Sequence, residues 1–262
     1  MNKNNKTSKV NSLNFIKKKL YHINIPNYIY FTKKSFEKNK LFYLDKIKKT
    51  FRKDIILRSS AIDEDTHKAS NAGKYDSLIV KKKNFNNLEN LILKITEKFK
   101  NKNDQILIQN FIKKPDISGV IFTKDINTNS DYYQIEYDTS KRSDLVTSGK
   151  SNPSLKTLII FKKVKKIPKY FKKLIMICAD LENLFSNKRL DIEFCIKRKK
   201  IFIIQCRPLV GINKSHDINK HEQILINLKK KFQKLNLKIN NIVGNCTILS
   251  NMTDWNPAEM IG

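Results

Sequence analysis

The stretch Leu190–Pro208, LDIEFCIKRKKIFIIQCRP, constrains this chain more than any other part of it. Two short runs rich in β-branched and aromatic residues, Leu190–Ile196 and Ile201–Arg207, flank a basic turn and read as paired strands. Side chains alternate along a strand, so Leu190, Ile192, Phe194 and Ile196 share one face while Asp191 and Glu193 share the other. Gln205 and Arg207 fall together in the same way. If Lys197 pairs with Ile201 across the turn, Glu193 lies opposite Gln205 and Asp191 opposite Arg207. One face of the hairpin then carries two carboxylates, an amide and a guanidinium over an apolar underside. Carboxylate and amide oxygens are hard ligands suited to Mg²⁺, and a guanidinium matches phosphate oxygens. The spacing therefore fits a metal–nucleotide floor. It fits equally an edge hairpin with one solvated polar face.

A chain of 262 residues has material for one large domain or two modest ones, and 40% apolar with 29% charged residues is a globular balance. No run of apolar residues is long enough for a membrane helix, and MNKNNKTSK lacks the apolar segment of a secretory signal. Cys178, Cys195, Cys206 and Cys246 show neither CxxC pairing nor zinc-like histidine spacing, so they read as reduced thiols of a cytoplasmic protein. The net charge of +29, from 53 basic and 24 acidic residues, raises nucleic acid as a partner. Lys, Asn and Ile are enriched together along the whole length, however, and the basic residues gather on no single helix. Specific nucleic-acid binding is thus the lesser alternative. A positive field would also attract a nucleoside triphosphate.

In chain order, Leu13, Ile16 and Leu20 predict a helix over Lys9–Leu20, and Tyr28–Thr32 reads as a strand. Ser35 is a candidate cap for a helix to about Phe51, with Phe36, Phe42, Leu44 and Ile47 facing inward. A buried strand, Ile55–Leu57, runs into RSSAIDEDTHKASNAGKYDSLIV, where small residues and Gly73 let backbone N–H groups approach phosphates beside Arg58. That segment lacks GxxxxGK[ST] and also fits an acidic surface loop. A helix is expected over Asn86–Lys100 and a strand over Gln105–Phe111. Ile117–Phe122 and Tyr132–Tyr137 should form a hairpin about the Asn127–Ser130 turn, with Ser118-Gly119 marking a close backbone approach or a bulge. A Ser/Thr/Gly-rich loop follows from Asp138 to Asn152, then a strand at Leu158–Phe161 and a helix opened by Pro168. Beyond Val210 a Lys/Asn-rich connector carries a helix near Glu222–Leu235 and leads to the only tryptophan, Trp255. His22, His67, His216 and His221 have no metal or nucleophile spacing and read as surface residues. GxSxG is absent.

Several of these pieces match one family in order. RSSAIDED followed by ASNAG resembles the RSSA…ED…ASFAG segment of phosphoenolpyruvate synthases and pyruvate phosphate dikinases. ILIQNF…ISGVIFTKDINT resembles their VQ…SGV-FT-R-P-TG segment, LVTSGKSNP their V-SG…P loop, and LDIEFCIKRKKIFIIQCRP their DIEW…G-LYILQSRP signature. KVNSL followed by INIPNYIYFT is similar to the family's start. Together the blocks span roughly residues 9–212.

The resemblance implies an α+β, ATP-grasp-type nucleotide-binding domain of two lobes, with mixed or antiparallel sheets and flanking helices. The first lobe would be 1–80, the second 81–212, and 213–262 a connector with the start of a further segment. It implies an ATP-dependent phosphotransferase domain that donates a phosphoryl group. Lys9 would reach the ATP phosphates, and Arg58 would bind phosphate and assist transfer. Glu193 and Gln205 would hold Mg²⁺ or the nucleotide, Asp191 would support them, and Arg207 would stabilise the transferring group. The family passes phosphate to a histidine on a separate domain and then to pyruvate. The TSH-type motif of that histidine is absent here, so the resemblance implies a phosphohistidine-bearing partner in trans, or alternatively a degenerate, non-enzymatic nucleotide-binding module. Thr7 and Ser8 stand where the family has glycines, Lys124 where it has Arg and Ile126 where it has Pro.

Overall fold

The computed structural model describes residues 8–60, 77–126, 129–141, 154–163, 167–187, 189–209 and 218–235, the last as backbone with side chains for 223–231. Its residues divide into two units, Met1–Lys214 and Ser215–Gly262.

Helix α1 (Lys9–Lys19) is capped by Ser8, whose hydroxyl accepts from the Asn11 N–H. Strand β1 (Tyr28–Thr32) follows as expected, and Thr32 then caps α2 (Lys33–Lys38) through a reciprocal box with Ser35. Asn39, at φ −136° and ψ 53°, breaks the helix before α3 (Lys40–Thr50). The expected single helix is therefore two, and the break resets the helical phase. Phe36 and Ile47 remain buried, but Phe42, expected to face inward, is 60% exposed.

Strands β2 (Ile55–Ser60) and β3 (Ser77–Val80), a 3₁₀ turn (Lys82–Asn87), α4 (Leu88–Thr96) and β4 (Gln105–Asn110) complete the first half. The expected helix over Asn86–Lys100 is thus shorter and begins in the 3₁₀ turn. The four strands form one antiparallel sheet in the order β1-β4-β2-β3. β4 inserts between β1 and β2, pairing antiparallel with both. The division expected at residue 80 therefore falls inside this sheet, and sheet membership changes only between Asn110 and Ile117. Along β2 and β4, Ile55, Leu57, Ile106 and Ile108 pack with Ile47 and Ile92 of the helices. Arg58 and Leu107, paired across the ladder, fall on the opposite face.

The second sheet takes β5 (Ile117–Phe122), β6 (Tyr132–Asp138), β7 (Lys156–Phe161), β8 (Leu190–Lys197) and β9 (Lys200–Pro208), in the order β7-β6-β5-β8-β9. Helix α5 (Lys169–Phe185) covers one face, and Leu174, Cys178 and Leu181 pack against Ile121, Ile135 and Ile192. The fold is α+β, two antiparallel sheets with flanking helices. Gly119 sits in an unbroken ladder, so it marks no bulge. A Cβ there would lie 2.5 Å from the Glu136 carbonyl oxygen and 2.9 Å from the Phe194 ring, so the absent side chain makes room for that ring.

Helix α1 serves both cores. Val10 and Leu13 pack with Tyr28 and Leu107 of the first sheet, whereas Ile16 belongs to the core under the second. Burying three such side chains is worth about 1.5–3 kcal/mol each, enough to fix the helix start, and with it Lys9, beside both sheets. The second unit contributes helix α6 (Ile218–Leu235), longer than the expected Glu222–Leu235. No helix among the described residues is long and apolar enough to cross a membrane.

Candidate functional site: a cleft built by both sheets

The β8–β9 hairpin supplies the floor. Glu193 pairs with Gln205 and Asp191 with Arg207, as the alternation predicts, but by a different route. Lys197 pairs with Lys200 rather than Ile201, because Arg198 and Lys199 both adopt left-handed conformations (φ 48° and 62°) and close a two-residue turn. The ladder then shifts by one residue at Glu193/Phe194, where Ile204 is the extra residue of a β-bulge. Ile203 and Cys206 consequently both face the core, and Gln205 and Arg207 face away from it.

Arg58 arrives from the first sheet. Its Nη2 donates to Glu193 Oε2 at 2.5 Å and to Gln205 Oε1 at 3.1 Å. Arg207 Nε donates to Asp191 Oδ2 at 2.8 Å. Lys9 Nζ donates to the Ser59 carbonyl at 3.0 Å, and the Val10 N–H donates to Ser60 Oγ at 3.3 Å, which ties the start of α1 to the end of β2. Of the six residues singled out in the sequence, Arg58 thus meets Glu193 and Gln205, Arg207 meets Asp191 on the same hairpin, and the charges of Lys9 and Arg207 bear on Glu193. Burial alone pushes the Glu193 carboxyl up, but the charge and hydrogen bond of Arg58, with the charges of Lys9 and Arg207, outweigh it and hold its pKa below the ordinary value of 4.5. Glu193 is therefore a carboxylate at neutral pH.

A pocket of about 80 Å³ adjoins this floor, lined among others by Ile56, Arg58, Gln109, Ser118, Glu193 and Ile204. The Gln109 side chain is buried, and among the described residues neither its amide nitrogen nor its amide oxygen has a hydrogen-bond partner. A buried amide left in this state costs about 1–3 kcal/mol, a cost that a polar group entering the pocket would offset. Sequence reasoning passed over Gln109. Its one signal is a polar residue directly after the apolar run Ile106–Ile108.

The carboxylate of Glu193 and the amide oxygen of Gln205 fit a Mg²⁺ ion that draws its remaining ligands from phosphate and water. No group of three or more His, Cys, Asp or Glu able to hold a metal exists among the described residues. Cys178, Cys195 and Cys206 are free and buried, and burial pushes the Cys195 thiol up to about 12, so it is no nucleophile at neutral pH. His22 is exposed and meets Asp180 at 2.9 Å. His67 and His216, the 61–76 loop with Gly73, most of the 138–152 loop, part of the Asn127–Ser130 turn and Trp255 lie outside the described residues, as does the His221 side chain.

The sequence matches no family model and no curated protein. Among solved structures it is similar to a D-alanine–D-alanine ligase from Helicobacter pylori, at 15% identity and TM-score 0.46 over 86% of this chain and 58% of that one. A D-alanine–D-alanine ligase from Bacillus anthracis complexed with ATP matches at 15% identity and TM-score 0.45, over 83% of this chain and 60% of that one. D-alanyl-alanine synthetase A from Vibrio cholerae matches at 13% identity and TM-score 0.47, over 87% of this chain and 65% of that one. The chain therefore spans about three fifths of the length of these structures. At such scores, the reading of function rests on the residues of the cleft.

Proposed function

We propose that the cleft binds ATP with Mg²⁺, and that the chain is the phosphoryl-donating part of a phosphotransferase resembling phosphoenolpyruvate synthases and pyruvate phosphate dikinases, on an ATP-grasp-type fold. One observation carries this reading. Arg58, from one sheet, meets Glu193 and Gln205, from the other, within hydrogen-bond distance, beside a pocket lined by an amide that has no partner among the described residues.

In this reading the base enters the pocket, where Gln109 offers one donor and one acceptor to its edge. The phosphates extend along the hairpin, over Glu193 and Gln205 toward Asp191 and Arg207. Glu193 and Gln205 hold Mg²⁺, which, when bound, neutralises charge on the phosphate oxygens. Lys9 neutralises the phosphates from the α1 side. Arg58 and Arg207 are the catalytic residues, their fixed guanidinium donors placed where negative charge grows during transfer. Asp191 positions Arg207 through their 2.8 Å contact. The acceptor is a histidine on a partner domain or protein, which passes the group to pyruvate or another acceptor.

Calorimetric titration of the purified chain with ATP, with and without Mg²⁺, tests the reading. One Mg²⁺-dependent site is expected. No binding under either condition would overturn it.

A further inference from the structure

One oxygen of the Glu193 carboxylate and the Gln205 amide oxygen are both held by a single cation. Arg58 Nη2 donates to Glu193 Oε2 and to Gln205 Oε1, and the arginine side chain is itself buried, 9% exposed. A divalent ion on these ligands would sit against the guanidinium charge at hydrogen-bond range, so it binds well only after the guanidinium has left. The local charge points the same way. The charges of Arg58, Lys9 and Arg207 all bear on Glu193, with Arg58 in direct contact. A free divalent cation would meet these cations, whereas a polyphosphate would attract them. A guanidinium also has a better destination than one carboxylate oxygen and one amide, because phosphate oxygens match its fork.

From this geometry we infer that Arg58 is a latch. It keeps Glu193 and Gln205 closed to a divalent ion until nucleotide phosphates draw the guanidinium away, so metal enters only together with nucleotide. The inference rests on the reading of the cleft as a nucleotide site and adds an order to its filling. Arg58 belongs to β2 of the first sheet while its two partners belong to β8 and β9 of the second. The latch therefore also fastens the sheets across the cleft, and its release frees both at once. Coupling of this kind is reciprocal: metal strengthens nucleotide binding by the same factor as nucleotide strengthens metal binding.

The test uses Mn²⁺ as a spectroscopic probe for the divalent site and a non-hydrolysable ATP analogue for the nucleotide, both on the full chain. Mn²⁺ affinity is read by water-proton relaxation and by calorimetry. In the wild type, Mn²⁺ alone should bind weakly, and the analogue should tighten it at least tenfold. In Arg58→Met, Mn²⁺ alone should bind at least tenfold more tightly than in the wild type, and the analogue should tighten it by a clearly smaller factor than in the wild type. Mn²⁺ should also raise the melting temperature of Arg58→Met and leave that of the wild type unchanged. Arg58→Lys retains the charge, and its shorter single donor reaches only one of the two oxygens, so it should fall between the two and serves if the Met variant does not fold. Wild-type Mn²⁺ affinity that is the same with and without the analogue overturns the latch. So do Arg58 variants that bind Mn²⁺ no better than a wild type that still binds the analogue; in both cases the nucleotide reading survives. A wild type that binds no analogue under any metal condition removes the nucleotide reading, and the latch with it.

Discussion

Two buried ionic clusters involve the second sheet, and they differ in a way that separates scaffold from site. The cluster behind the sheet joins Lys162 to Glu182, whose second oxygen accepts from the Tyr133 hydroxyl at 3.3 Å, with the Lys124–Asp131 pair close by. Lys162 also sits 4.7 Å over the Tyr133 ring. Two cations and two carboxylates sum to zero there. Both oxygens of Glu182 are taken, and no residue of the cluster lines the cleft pocket. Burial pushes the Lys162 ammonium down and the Tyr133 phenol up, with Glu182 opposing the first and reinforcing the second. This is a closed, neutral circle that fastens α5 to β6 and β7. The cleft cluster borders a pocket lined by Gln109, whose amide has no partner among the described residues. Perturbed titration is common to both. A bordering pocket belongs to the cleft alone among these two clusters.

The sharpest way to break this contrast is to remove one carboxylate from each cluster. Glu193→Ala should weaken Mg²⁺-dependent ATP binding by more than about 100-fold, since it deletes a charged metal ligand, and it should cost about 3 kcal/mol of stability by stranding Arg58. ATP affinity within threefold of wild type would remove Glu193 from the site. Glu182→Ala should cost a similar 3–5 kcal/mol in chemical denaturation, because Lys162 loses its partner, yet leave ATP affinity within about twofold. A large loss of affinity there would erase the distinction between the clusters. Gln109→Leu sharpens the contrast from the other side. It deletes two unpartnered polar atoms, so stability should hold or rise by about 1 kcal/mol, while ATP affinity should fall about tenfold, or 1.4 kcal/mol. The smallest effect is on pH. The folded-state pKa of Glu193 lies below its ordinary 4.5, so its stabilising contribution is present above that value and fades as pH falls through the lowered one. Melting temperatures of the wild type and Glu193→Gln should therefore converge on acidification below about pH 4.5 and differ most above it.

Much of this was legible from alternation alone. Strand β1 matches its predicted span, and the polar face Asp191/Glu193/Gln205/Arg207 forms with the predicted partners. The route to that face was not legible. Arg-Lys carries no Asn-Gly signature, so nothing in the sequence announces two left-handed residues at 198 and 199, nor the bulge that offsets the shorter turn. Sheet membership was hidden for another reason. Pairing of β4 between β1 and β2 is a long-range event, with no local trace in Gln105–Asn110. Phe42 misled because helical phase was carried through Asn39, where the backbone abandons it. Of the site, the charged members were readable from chemistry. Gln109 was not, because an amide becomes conspicuous only once every possible partner around it has been placed.

The bulge at Ile204 has an evolutionary consequence. A regular ladder of the same length would pair Glu193 with Ile204, and Gln205 and Arg207 would turn toward the helix side. Loss of Ile204 alone, by contrast, would straighten the strand and return Gln205 to Glu193 and Arg207 to Asp191. The hairpin thus has a seam at which lineages can gain or lose one residue without scrambling the polar face. Because Ile204 also lines the pocket, such an event would change the room available to a ligand and spare the chemistry beside it.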